Sequence, residues 1–433
     1  MKFFFPDSQD QIDPTFDFIA EERSPYRIRQ RDDRYAHETV SVPPFDGILV
    51  SKTIVDGTRQ GTGKYTQAQR YRLYRVGVRQ FFRLDETTRP PLESMGDCGA
   101  FSYVKEDEPP YTPDEVIDFY TECGFDLGLS VDHVILGYNP TASTDSDDEM
   151  IADWRYRQVI TLQLAKEFLS RCRTRKVAFE PVGVAQGWSP TSYAAAVRVL
   201  QNVGYRRIAL GGMVPLKTHE ILSCLKAIDG IRERITQLHL LGITRCDSIG
   251  RFRAFGVTSF DSTSPFRQAF KDDRDNYYTL NRTYTALRVP QVDANPRLKA
   301  RIRAGQISQS VAVELEQRCL DLLRAYDADA STMQAALDAL RAYEELYNGR
   351  QDRTNAYREL LEDSPWRTCP CGICEHAGIE VAIFRGSERN KRRGFHNLSV
   401  FHQRLQRELL IAVGSTRTPQ ARGKGSDPHV QQP

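Results

Sequence analysis

The chain has almost no net charge, no long apolar run and no disulfide pattern, and each shortfall removes a class of protein. Lys and Arg number 59 against 57 Asp and Glu, a formal net charge of +2 over 433 residues. A global electrostatic attraction for nucleic acid is therefore missing, and any basic surface must be a local patch. No stretch approaches the ~20 apolar residues of a membrane span. The apolar start Met1-Lys2-Phe3-Phe4-Phe5 stops at Pro6-Asp7, unlike a signal peptide, so a soluble, cytoplasmic protein is expected. Nine cysteines in a chain of this length do not read as a disulfide scaffold, and six of them are scattered. No G-x-G-x-x-G fingerprint of a dinucleotide fold occurs. Hydrophobic residues at 40% and charged residues at 27% leave enough apolar material for a large core and exclude a globally disordered chain.

The ordering of apolar runs gives the architecture. Residues 1–44 form a polar extension containing Arg23, Arg27, Arg29, Arg31 and Arg34, after which Phe45–Ser51 reads as a first buried strand. Short apolar runs recur at Leu127–Leu136, Val177–Ala185, Arg207–Gly212, Leu238–Ile243 and Phe252–Phe260. Helical patterns with recognisable ends lie between them. Thr112-Pro113-Asp114-Glu115 is a capping box with proline at the first helical position, closed by Gly124, and Ser189-Pro190 opens a helix that Gly204 stops. Alternation of this kind makes βαβ units, and at least seven candidate strands favour a (β/α)8 (TIM) barrel, with residues 45–270 forming its main part. Chemistry in such barrels sits at the C-terminal ends of the strands. The polar and glycine residues there are Asp97, Asp132, Gln186, Gly211, Gly212 and Asp261. Each taken alone reads equally as a helix cap or a turn; six in one barrel point to a site.

After Asp261 the alternation stops. Residues 271–365 read as a helical insertion, with starts at Asn295-Pro296 and Ser331 and a stop at Asn348-Gly349. Residues 366–414 hold a zinc-binding module and a closing helix, and the Gly-, Pro- and Arg-rich residues 415–433 read as a disordered tail. Cys369, Cys371 and Cys374 lie within six residues, too close together to point into one apolar core. Three thiolates at this spacing wrap one side of a tetrahedral Zn2+. The fourth ligand comes from His376, His396 or His402; His396, which opens a helical pattern, is placed best. A closed Cys3His site leaves no position for substrate, so the zinc is expected to be structural. Between cluster and helix lies a basic run containing Arg385, Arg389, Lys391, Arg392 and Arg393. It reads either as a solvated charged loop or as a contact to a phosphate backbone.

Five fragments together resemble the tRNA-guanine transglycosylase family. Gly96-Asp97-Cys98-Gly99-Ala100-Phe101 is similar to its D-S-G-G-[FY] motif, Val184-Ala185-Gln186-Gly187 to its V-Q-G, and Leu210-Gly211-Gly212-Met213 to its G-G-L. Phe260-Asp261-Ser-Thr-Ser-Pro265 is similar to F-D-x-x-x-P, and Cys369, Cys371, Cys374 and His396-Asn397 to the family's zinc site. The resemblance runs from Phe45 to Leu405 around the 271–365 insertion. The departures point to one branch. Cys98 and Ala100 stand where enzymes acting on tRNA have Ser and Gly, the segment around Asp132 differs from theirs, and Asp261 and Cys369 are 108 positions apart. These features look like the DNA-modifying branch (DpdA), which replaces guanine in DNA with a 7-deazaguanine such as preQ0.

The resemblance implies roles for particular residues. Asp261 would attack C1′ of the target nucleotide, and Asp97 would serve as general acid and then base. Asp132, Gln186, Gly211, Gly212 and Met213 would bind the base, with Phe101 and Leu241 sandwiching it. It also implies a multi-gene modification and restriction system with a co-encoded ATPase-type accessory protein. Two other readings are weighed: a tRNA-guanine transglycosylase, and a non-catalytic zinc-stabilised nucleic-acid-binding subunit, against which the presence of both Asp97 and Asp261 argues.

Overall fold

The computed structural model describes residues 1–58, 61–84, 91–141, 148–271, 274–347 and 352–415. Eight parallel strands close into a barrel: β1 (Lys2–Pro6), β2 (Gly47–Ser51), β3 (Glu93–Asp97), β4 (Leu127–Leu129), β5 (Glu180–Ala185), β6 (Arg207–Leu210), β7 (Gln237–Leu240) and β8 (Val257–Asp261). Strand β1 pairs with both β2 and β8 and completes the ring. The expected TIM barrel is present, but it begins at residue 2, not at 45. Phe3, Phe4 and Phe5 are the apolar centre of a barrel strand and are buried on both faces. Only the residues between β1 and β2 are an extension, and they fold back over the C-terminal part of the chain.

Two expected strands end earlier or begin later than their apolar runs suggest. The run 127–136 is strand only to Leu129. The Ser130 hydroxyl then accepts the Val184 N–H at 3.0 Å in place of a backbone carbonyl, which releases residues 131–136 to cross the barrel mouth. In the run 252–260, residues Ile249–Arg253 are helical and Gly256, at φ +86°, turns the chain into β8. The capping boxes at Thr112 and Ser189 are present, and Gly124 and Gly204 end their helices in the left-handed conformation.

Alternate residues of each strand fill the barrel interior. Phe4, Leu49, Met95, Leu127, Leu129, Val182, Val184 and Ala209 form one closed apolar cluster, and the opposite faces pack on the surrounding helices. The insertion carries helices Pro296–Arg303, Gln309–Asp327, Met333–Tyr347 and Thr354–Asp363, preceded by an antiparallel strand pair (Tyr277–Tyr278 with Thr283–Tyr284) and by a short strand, Leu287–Arg288, that pairs with Ile383–Phe384 beyond the insertion. Leu337, Leu340 and Tyr343 are buried on one face, as their spacing predicts. The last helix, Gly386–Ser415, returns to the barrel, where Phe401 packs edge-on against Phe3 and Phe260. It is the eighth barrel helix, displaced along the chain by the insertion and the cysteine cluster. The predicted tail lies outside the described residues beyond 415. No described helix is long and apolar enough to cross a membrane.

Candidate active site

Continuing the inward alternation one step past the apolar cluster places polar groups at the C-terminal mouth. From Leu49 the next inward residue is Ser51, from Met95 it is Asp97, from Val184 it is Gln186, and from Ala209 it is Gly211. A cavity of about 250 Å³ opens there, at the small end of ligand pockets and suited to one heterocycle with part of its sugar. Asp97, Asp132, Gln186, Gly211, Gly212, Phe101, Leu241 and Asp261 all line it. Met213 does not: its side chain is fully buried in the outer core, because the turn at Gly212 (φ +73°) points it away from the cavity.

Two carboxylates with raised pKa values face this cavity. Burial pushes Asp97 up to about 6, the Ser51 hydroxyl donating to its Oδ2 at 2.8 Å opposes the shift, and the negative charge of Asp261 adds to it. Its side chain keeps an edge open to the cavity. Asp132 is 2% exposed and is pushed to about 7, first by burial and then by the charge of Asp97. Gln186 Nε2 donates to Asp132 Oδ2 at 2.6 Å, and the Cys98 thiol donates to Oδ1 at 3.2 Å. Gln186 is fixed in turn, its Oε1 accepting the Ile135 N–H at 3.2 Å. Gly211 and Gly212 allow a close approach: a Cβ at Gly211 would lie 2.2 Å from Gln186 Nε2, and one at Gly212 would lie 2.3 Å from the Ile135 carbonyl. Phe101 is 70% exposed at the rim.

Asp261 ends β8 and is 6% exposed. Its Oδ1 lies 3.1 Å from His239 Nε2 and accepts the Gly242 N–H at 3.1 Å. Sequence reasoning missed His239, Gly242 and Ser51. A signal for His239 was present: Leu238 and Leu240 flank it on β7, so alternation turns a polar ring into the barrel.

The second predicted centre also assembles. Cys369, Cys371, Cys374 and His396 bring their ligand atoms within 4.8 Å of one another. The three sulfurs lie 3.6, 3.4 and 3.2 Å from His396 Nδ1. Tetrahedral zinc, with Zn–S about 2.3 Å and Zn–N about 2.0–2.1 Å, sets S···N edges of roughly 3.5 Å. His396 Nε2 donates to the Tyr278 carbonyl at 2.7 Å, which leaves Nδ1 free to ligate. The residues fit a closed metal site. His376 faces the Gly372 carbonyl and His402 lies 3.5 Å from Asp46, so neither belongs to it.

The basic run has a different role from a phosphate contact. Arg385, Arg389, Arg392 and Arg393 are between 0% and 6% exposed. Arg385 and Arg389 pair with Glu21, Arg385 also with Glu316, Arg389 with Glu380, and Arg392 with Glu388. Arg393 donates to the Val381, Ile383 and Ala269 carbonyls, and Lys391 donates to the Gln11 carbonyl at 2.9 Å. The run is helical and faces inward, so its charges clamp the N-terminal extension to the insertion. In the extension itself, Arg23, Arg27, Arg31 and Arg34 also lie against carboxylates of the chain.

A closed (β/α)8 barrel with carboxylates lining a small cavity at its C-terminal mouth has the arrangement of a barrel enzyme acting on a small ligand. Comparison with known proteins makes the class specific. No family model matches the chain. Over 415 residues, 95% of this chain and 98% of the other, it is 50% identical to the DNA-guanine transglycosylase of Salmonella montevideo. The chain belongs to the DNA-guanine transglycosylase family.

Proposed function

We propose that the protein exchanges guanine in DNA for a 7-deazaguanine, preQ0 or a close relative, by double displacement at C1′. The observation that carries this reading is the convergence of Asp97 and Asp261 on one cavity, close enough that the charge of Asp261 raises the Asp97 pKa. Replacing a base without cutting the strand requires cleaving one N-glycosidic bond and remaking it at the same carbon, which is the two-carboxylate logic of a retaining glycosidase. An Asp261 oxygen attacks C1′, the C1′–N9 bond breaks, and Asp97 delivers its proton to N9 of the departing guanine. The incoming base then returns a proton from its N9 to Asp97 while N9 displaces the ester. A pKa of about 6 suits a group that works in both directions. Deoxyribose lacks the electron-withdrawing 2′-OH, which eases the oxocarbenium-like transition state.

Base recognition follows from the same geometry. Ionised Asp132 accepts from the N1–H and N2–H₂ edge of a guanine-like heterocycle, and the Gly211-Gly212 backbone approaches its carbonyl. Phe101 and Leu241 cover its faces. The Cys3His cluster holds structural Zn2+, remote in function from the chemistry. The target nucleotide must be flipped out of the duplex at a cost of a few kcal/mol. A co-encoded ATPase-type partner in a restriction-modification system would act at that stage. The test is mass spectrometry of nucleosides from cells with and without the gene, with DNA and tRNA hydrolysed separately. A 7-deazaguanine deoxynucleoside that appears only with the gene is expected. A change confined to tRNA would replace this reading with the RNA enzyme, and no change together with inactive purified protein would favour the non-catalytic one.

A further inference from the structure

We propose that His239 is a positioning residue that holds Asp261 Oδ1, so that Oδ2 alone faces the sugar. This rests on the reading of Asp261 as the nucleophile. His239 is fully buried inside the barrel, beside Phe4, whose ring meets it edge-on at 5.9 Å. A ring with two polar atoms is costly in so apolar a place unless both are satisfied. Both are: Nδ1 lies 2.9 Å from Ser259 Oγ, and Nε2 lies 3.1 Å from Asp261 Oδ1. Ser259 and Asp261 are alternate residues of β8, so both face the ring.

The chemistry of the partners assigns the tautomer. An ionised carboxylate only accepts, so Nε2 carries the hydrogen and donates. Nδ1 is then the acceptor, and Ser259 donates its hydroxyl hydrogen to it. With the Gly242 N–H also directed at Oδ1, two donors converge on one carboxylate oxygen. Among the described residues no hydrogen bond reaches Oδ2, and Asp261 lines the cavity. The carboxylate is thus prevented from rotating about its Cβ–Cγ bond, and its free oxygen is held in line for C1′. When the glycosyl ester breaks in the second half-reaction, the same two donors receive the charge returning to the carboxylate.

The experiment compares His239→Leu, His239→Gln, Ser259→Ala and Asp261→Ala in base exchange on duplex DNA, with melting temperatures measured in parallel. His239→Leu is expected to lower kcat by ~10²-fold with KM for the free base unchanged, the loss typical of removing one preorganised donor. Gln carries an amide nitrogen at the position of Nε2, so His239→Gln should recover most of that loss. A folded His239→Leu protein with wild-type kcat would overturn the proposal. So would equal losses in the Leu and Gln variants, which a purely structural role predicts. If His239→Leu does not fold, Ser259→Ala carries the test: a lowered kcat with unchanged KM supports the proposal, and wild-type kinetics overturn it. An active Asp261→Ala protein would overturn the nucleophile assignment and this inference together. An inactive Asp261→Ala beside a fully active His239→Leu would overturn the inference alone.

Discussion

Asp132 combines a demand for charge with a place that resists it. Its carboxylate lies in the protein interior, where Gln186 and the Cys98 thiol donate to it, and burial raises its pKa to about 7. A thiol is a weak donor, so Cys98 stabilises the anion less than a hydroxyl at the same position would. Binding a guanine-like base supplies the missing donors. Affinity for the free base should therefore rise as pH increases through about 7. Asp132→Asn should flatten that dependence and weaken binding by ~10–100-fold, the worth of a charge-assisted hydrogen bond. Calorimetric titration between pH 5.5 and 8.5 checks this, and a wild-type affinity independent of pH would refute it. Stability moves the opposite way. The folded-state pKa lies above the unfolded value, so the carboxyl favours folding below that unfolded value and loses this contribution as pH rises through about 7. Asp132→Asn should accordingly be more stable than wild type at pH 8, by on the order of 2–4 kcal/mol, with the advantage gone near pH 4.

Among the elements, the helix Gly386–Ser415 has most to do. It supplies His396 to the candidate metal site, three buried arginines (Arg389, Arg392 and Arg393) to the clamp and Phe401 to the barrel wall. Tyr277 stacks on the His396 ring at 4.5 Å, so the insertion is fastened to the same point. A metal in this site would therefore hold the barrel's closing helix in place as well as the local cysteine loop. Chelation should release about one zinc per chain and remove most of the ordered structure after residue 271, because the binding energy of a structural zinc is folding energy, about 10–16 kcal/mol in zinc-finger peptides. Elemental analysis paired with proteolytic mapping tests this, and unchanged protease resistance in metal-free protein would contradict it.

On the scale of the whole molecule, one ionic network ties three segments that are distant in sequence. Burial alone would raise the Glu21 pKa, but Arg385 and Arg389 overcome it and hold Glu21 near 2. Those arginines also engage Glu316 of the insertion and Glu380 beside the cysteine cluster. Arg389→Met removes the shared cation from two carboxylates and should destabilise the protein by roughly 3–5 kcal/mol. The salt dependence of DNA binding by the folded variant should stay as in wild type, since no phosphate contact is lost. Urea melts and binding at several salt concentrations separate the outcomes; normal stability with a shallower salt slope would return the run to the DNA interface.

Features that depend on local chemistry and on period are legible in the chain. Alternating strands and capped helices marked the barrel, three close cysteines marked the candidate metal site, and the strand-terminal residues Asp97, Gln186, Gly211 and Asp261 marked the mouth. Each of these is written within a few neighbouring residues. The remaining features depend on partners far along the chain. Phe3–Phe5 became a strand because β2 and β8 lie on either side of it. Arg385 and Arg389, which look solvated in sequence, turned inward because Glu21, Glu316 and Glu380 arrive from other segments. Met213 left the site because the turn at Gly212 swings it outward. His239 found its acceptor only when β7 came to lie beside β8, since a charge or a hydrogen bond takes its meaning from the group that faces it.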